Sequence, residues 1–153
     1  MTPAEFEFVA QLLKRRSGLV LNSDKLYLLE SRLGPIARKY SLPGLPAIAA
    51  KLKAGDEPLA RDVTEAMTTN ESFFFRDKTP FDHFEKLMLP AMLKARASAK
   101  RLRIWCAASS TGQEPFSLGM ILREKQALVK DWRIEIIGTD LSSEVLNRAK
   151  SGL

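Results

Sequence analysis

The sequence predicts an α/β chain: a small all-α helical bundle at the N-terminus, followed by the first β-α-β-α part of an open parallel sheet. Three observations carry this. Residues 1–68 show apolar residues recurring at helical spacing between recognisable caps. Leu102–Ala107 and Trp132–Thr139 read as strands, and Leu102–Ala107 and Ile134–Gly138 are apolar on both faces as strands buried in a parallel sheet are. Each of these runs ends in a small polar turn and then a helical pattern. The 153 residues suffice for one ordinary domain or two small ones, and 45% apolar with 27% charged residues describes a globular rather than a disordered chain. No apolar run approaches the ~20 residues of a membrane span, so no membrane insertion is expected. The N-terminus lacks the basic and apolar regions of a signal peptide, and the single cysteine cannot form an internal disulfide. A cytoplasmic location is the expectation.

In order along the chain, Thr2-Pro3-Ala4-Glu5 is a capping box with proline at the first helical position. Phe6, Val9, Leu12 and Leu13 share the inner face of that helix, and Gly18 ends it. A second helix starts near Ser23 or Asp24 with Leu26, Leu29, Leu33, Ile36 and Tyr40 as its apolar stripe. Gly34-Pro35 should kink it or break it in two. Lys25, Arg32 and Lys39 are seven residues apart and form a loosely aligned basic stripe on another face. Leu42-Pro43-Gly44 is a turn, Pro46–Leu52 a short helix closed by Gly55, and Asp56 caps a fourth helix with Leu59, Val63 and Met67 inward. Residues 1–68 thus form one helical bundle domain.

Residues 69–100 read as a linker and connecting helix. Thr68 to Arg76 has no helical period: polar residues lead directly into Phe73-Phe74-Phe75 and an arginine. It is either a linker pinned by its aromatics or a connector that lays polar groups along a ligand while the phenylalanines anchor it. Thr79-Pro80 starts a helix through Phe84, Leu87, Met88, Met92 and Leu93, bent at Pro90.

Residues 101–153 hold the start of the sheet domain. Leu102–Ala107 enters the interior, Ala108-Ser109-Ser110-Thr111-Gly112 turns, and Pro115 opens an apolar helix. A strand, a small-residue loop and a helix start let a ligand approach the backbone and meet unpaired N–H groups. The loop is neither G-x-G-x-x-G nor a phosphate-binding Walker loop. Asp140 ends the second strand, 28 residues after Gly112, and Ser142 caps a last helix stopped by Gly152. An acid at that place hydrogen-bonds ribose hydroxyls in nucleoside-binding sheets. Together these features favour an adenosyl ligand over packing alone.

The net charge of +6 is uneven: residues 76–103 carry 8 basic and 3 acidic side chains, whereas residues 104–153 balance at 6 and 6. The basic segment is either a solvated helix face or a contact for an acidic partner. His83 is the only histidine, which speaks against a His/Cys metal site.

Three motifs resemble chemotaxis receptor methyltransferases of the CheR type: Met67 through Arg76 (MTTNESFFFR), Ile104 through Ser117, and Gly138-Thr139-Asp140 with Ala149-Lys150-Ser151-Gly152. Ser17-Gly18, Lys25 and Ser31-Arg32-Leu33 add support, and the motifs stand in family order over essentially the whole chain. The resemblance implies a Rossmann-like domain that uses S-adenosylmethionine, forms S-adenosylhomocysteine, needs no metal, and methylates glutamates of methyl-accepting chemotaxis receptors. It places Asn70, Ser72, Arg76, Glu114 and Asp140 at the cofactor and Lys25, Arg32 and Lys39 toward the receptor. A glutamate with pKa near 4.3 is already ionised at neutral pH, so no catalytic base is required. Nucleic acid is not expected as a partner. Ser72 stands where the family usually has threonine, and Gly34-Pro35-Ile36-Ala37 where many relatives carry more arginines. The family's sheet continues through further strands. The chain is therefore expected to be a fragment of a longer enzyme, inactive alone and able to self-associate by strand exchange. A non-catalytic receptor-binding module is the second reading.

Overall fold

The computed structural model describes residues 1–152, which divide into two compact units, the first covering Met1–Thr69 and the second beginning at Asn70.

The first unit consists of α1 (Pro3–Ser17), a 3₁₀ turn (Ser23–Lys25), α2 (Leu26–Lys39), α3 (Leu45–Lys53) and α4 (Glu57–Ala66). Both halves of the capping box form: the Thr2 hydroxyl accepts from the Glu5 N–H, and the Glu5 carboxylate accepts from the Thr2 N–H at 2.7 Å. Asp56 caps α4 by accepting from the Leu59 N–H. The apolar stripes converge on a core in which Val9, Leu13, Leu29, Leu33, Ile48, Leu59 and Val63 are fully buried. Arg16 closes the far ends of α1 and α4 with a two-pronged pair to Glu57.

The expected break at Pro35 does not occur, because α2 runs through it. Proline clashes mainly with the Cβ and N–H of the residue before it, and Gly34 has no Cβ. Only one ladder bond is then lost, and Leu29, Leu33 and Ala37 bury the same face on both sides of the proline.

In the second unit, α5 (Thr79–His83), a π-helical turn (Phe84–Met88) and α6 (Leu89–Ala95) follow one another without interruption. The π turn corrects the expected stripe. Its extra residue rotates the chain, so Phe81, Phe84 and Leu89 are buried, while Leu87 and Met88 are 62% and 56% exposed. The turn sits just before Pro90, which has no N–H to continue the ladder, and such insertions accompany lost i→i−4 bonds.

Strands β1 (Arg101–Ala107) and β2 (Arg133–Thr139) pair in parallel, from Arg101 opposite Arg133 to Ala107 opposite Thr139. Between them lie α7 (Gln113–Glu124), which begins two residues before Pro115, and the short α8 (Gln126–Val129), which carries no periodic signal. The last helix is α9 (Ser143–Ser151), capped by Ser142. One face of the sheet is covered: Leu102 and Cys106 are buried with Phe81, Phe84, Leu89 and the α7 residues Leu118, Ile121 and Leu122. The other face is not, and Trp105 is 71% exposed among the described residues. The expectation of strands buried on both faces is met on one. No helix among the described residues is long and apolar enough to cross a membrane.

Candidate functional site

Beyond β1 the chain crosses Ala108 to Gly112, and both Ala108 (φ 60°) and Ser110 (φ 49°) sit in the left-handed region. A non-glycine residue held there is strained, and such strain concentrates at sites. What holds the loop is explicit. The Ser109 N–H donates to the Thr139 carbonyl at 2.9 Å, the Ser110 N–H to Asp140 Oδ2 at 2.8 Å, and the Ser110 hydroxyl to the Asn70 carbonyl at 2.9 Å. Asp140 Oδ1 also accepts from the Ser142 N–H at 3.0 Å, so one carboxylate binds the ends of both strands together. Gly138 makes the approach of the loop to β2 possible. A Cβ there would lie 2.8 Å from Ser109 Oγ and 3.0 Å from Ser109 Cβ.

A cavity of about 430 Å³ opens beside this loop, within the range of small-molecule sites. Ser72, Arg76 and Glu114 line it together with Ser109 and Ser110, and Phe73, Phe81, Ile104, Trp105 and Leu118 supply apolar wall. Three of the five residues expected at the cofactor thus meet in one cavity. Asn70 and Asp140 are not part of its wall. Each instead grips Ser110, Asn70 by its carbonyl and Asp140 by its carboxylate. Ser110 is the site residue that sequence reasoning passed over, because its importance lies in a backbone conformation and in two partners 40 and 30 residues away.

Arg76 is oriented by its own chain. Its Nη1 donates to the Glu71 carbonyl at 2.8 Å, and its guanidinium lies 5.7 Å from the centre of the Phe73 ring. A guanidinium has five N–H donors, so most stay available for a carboxylate. The lining also carries Glu71, Asp77 and Glu114 against this single cation, a balance suited to a ligand with net positive charge and one carboxylate. The residues therefore fit an adenosyl amino acid with a sulfonium centre. Phe73 and Phe74 are 53% and 50% exposed and do not act as core anchors, whereas Phe75, 40% exposed, reaches the core. Phe75 packs edge-to-face on Phe81 at 5.4 Å, and its N–H donates to the Ser117 hydroxyl at 3.0 Å. Among the described residues no group of three His, Cys, Asp or Glu side chains could hold a metal ion.

The basic stripe of the first unit is not a row of free charges. Lys25 lies 3.5 Å from Asp24, and Lys39 pairs with Asp62 Oδ2 at 2.6 Å, which the Tyr40 hydroxyl shares at 2.9 Å. Arg32 turns onto its own chain, with Nη1 donating to the carbonyls of Met67 (2.7 Å) and Thr68 (2.9 Å) and Nη2 to the Thr69 hydroxyl (3.4 Å).

Comparison with known proteins matches both units. Residues 4–68 match the family model described as CheR methyltransferase, all-alpha domain, and residues 70–153 match CheR methyltransferase, SAM binding domain. A chemotaxis protein methyltransferase 1 of Pseudomonas aeruginosa is 38% identical over 97% of this chain and 55% of its own length. A chemotaxis protein methyltransferase of Vibrio anguillarum is 34% identical over 97% and 54%, and one of Salmonella typhimurium 30% identical over 100% and 51%. The chain spans about half the length of the curated relatives it matches.

Proposed function

The chain belongs to the CheR methyltransferase family, and from that premise we propose that the protein serves methyl transfer from S-adenosylmethionine to glutamate side chains of methyl-accepting chemotaxis receptors in the cytoplasm. The observation that carries this reading is the cavity at the end of β1. There Arg76, held by the Glu71 carbonyl and Phe73, lines the same cavity as Glu114, beside a loop tied down by Asp140. Arg76 would take the methionine carboxylate, Glu114 the ammonium group and Asp140 the ribose, with Ser72 and Asn70 as further hydrogen-bonding groups. The cofactor supplies a methyl group on a sulfonium, already activated for attack by a carboxylate. The receptor glutamate is ionised at neutral pH, so the protein's task is placement and exclusion of water rather than proton transfer.

Lys25 and Lys39 are proposed to face the acidic receptor, where exposure leaves them partly free to exchange partners. The 153 residues by themselves are proposed to hold the ligand weakly and to transfer nothing, since Trp105 beside the cavity stands open to solvent. Among the described residues β1 pairs with β2 alone, and that open edge supports self-association by strand exchange. The rival reading is a receptor-binding module without catalysis. Titration calorimetry with S-adenosylhomocysteine separates the two. One saturable site, weakened roughly tenfold to a hundredfold by Arg76→Ala, is expected for loss of a charged hydrogen bond. Identical curves for Arg76→Ala and the parent chain would remove Arg76 from the site.

A further inference from the structure

We propose that Arg32 is a positioning residue for the ligand site, acting through the segment Met67–Arg76 rather than on a receptor. This rests on the reading of the cavity as an adenosyl-ligand site.

The argument begins at the end of α4. A helix leaves its last carbonyls without intrahelical partners and with partial negative charge, and a cation placed there is favoured. Arg32 fills that role from α2, and its donors continue past the cap to residue 69. Three successive residues are thereby fixed by one guanidinium, immediately before Asn70. From Asn70 onward other groups take over. Ser110 holds the Asn70 carbonyl, Arg76 the Glu71 carbonyl and Ser117 the Phe75 N–H. The segment has no helix or strand ladder of its own over residues 68–73. Its order therefore depends largely on side-chain bonds, and Arg32 makes three of them, beside the Thr68 hydroxyl and N–H that both bond to the Glu65 carbonyl. Loss of the Arg32 bonds would loosen the carbonyl side of residues 67 and 68, which the remaining bonds to Thr64 and Glu65 hold only from their N–H and hydroxyl side, and the entropy of refixing them would be charged to ligand binding. A lysine cannot reproduce the fork, since it offers one nitrogen where Arg32 presents two.

The test uses the whole chain, with Arg32→Gln, Arg32→Lys and, as control on the same helix, the exposed Arg38→Gln. Hydrogen exchange is read at residues 68–76 and S-adenosylhomocysteine affinity by calorimetry. Arg32→Gln is expected to speed exchange in that segment at least tenfold, to leave exchange in α1 and α3 unchanged, and to weaken binding at least fivefold. Arg32→Lys should fall between, and Arg38→Gln should match the parent chain. Parent-like exchange at 68–76 in a folded Arg32→Gln chain overturns the proposal. So does faster exchange with unchanged affinity, which would make the latch structural only. So does a loss confined to receptor association, which would return Arg32 to a receptor-facing surface. If the parent chain binds no S-adenosylhomocysteine, the ligand reading fails, and the exchange arm alone decides whether Arg32 orders the segment.

Discussion

At the residue scale, Asp140 does two jobs with one carboxylate. Each oxygen already accepts a backbone N–H, from Ser110 and from Ser142, and each keeps a lone pair for a ligand hydroxyl. Asp140→Ala should therefore destabilise the second unit by about 1–3 kcal/mol through the stranded N–H groups and weaken adenosyl binding at the same time. Denaturant unfolding and calorimetry on the same variant check both; binding loss without stability loss would contradict the double role. Cys106 offers a pH test. Burial, reinforced by the neighbouring Glu114 carboxylate, pushes its thiol from 9.0 up to about 11. The folded chain thus keeps a proton that the unfolded chain gives up, so this contribution to stability is full below about pH 9 and is lost as pH rises toward 11. Native protein at pH 8 should resist an aromatic disulfide reagent that labels the denatured chain stoichiometrically, and Cys106→Ala should flatten the alkaline limb of stability.

At the element scale, two features can be separated by substitution. The π turn between α5 and α6 decides which residues face the core. Leu89→Ala should cost about 2–5 kcal/mol, whereas Leu87→Ala, two positions away, should stay within about 0.5 kcal/mol. Equal losses in urea unfolding would mean that the stretch is an ordinary α-helix. Between α2 and α4, the Lys39 ammonium and then the Tyr40 hydroxyl, both bonded to Asp62 Oδ2, hold that carboxyl below the usual carboxylate range. A lowered folded value stabilises above the unfolded pKa and is lost as pH falls through the folded one. Thermal melts between pH 5 and pH 2, a window chosen around the ordinary Asp value of about 3.9, should fall more steeply for the parent than for Asp62→Asn.

For the whole molecule, each unit has a separate buried core, one centred on Leu13, Leu29 and Leu59, the other on Leu89, Leu102 and Cys106. Residues 1–69 should therefore melt cooperatively when produced alone. A non-cooperative melt would show that this core needs the rest of the chain. The helices cover one face of the two-stranded sheet, and the exposed Trp105 reports on the other. In a Trp132→Phe chain, where Trp105 is the remaining tryptophan, its emission should be that of a water-exposed indole, shifting to the blue if copies associate through that face. Light scattering on the same samples would show the association directly.

The helices of the first unit, their caps and their inward residues were readable because helical spacing and capping are local physics. Thr2 with Glu5, and Asp56 with Leu59, lie within one turn of each other. The strand-loop-helix unit and the acid after the second strand were readable for the same reason, and so was the resemblance carried by their motifs. What only tertiary structure decided was how partners distant in sequence share atoms. Ser110 became the hub between Asn70 and Asp140, and Arg32 turned from a surface stripe onto residues 67–69. The π turn that buried Leu89 instead of Leu87 was equally hidden. Periodicity places a residue on a face, but it does not say which orphan carbonyl, strained loop or missing proline N–H waits opposite that face. Those demands arise only once the chain has folded, and in this protein they are met by Arg32, Asp140 and the extra residue before Pro90.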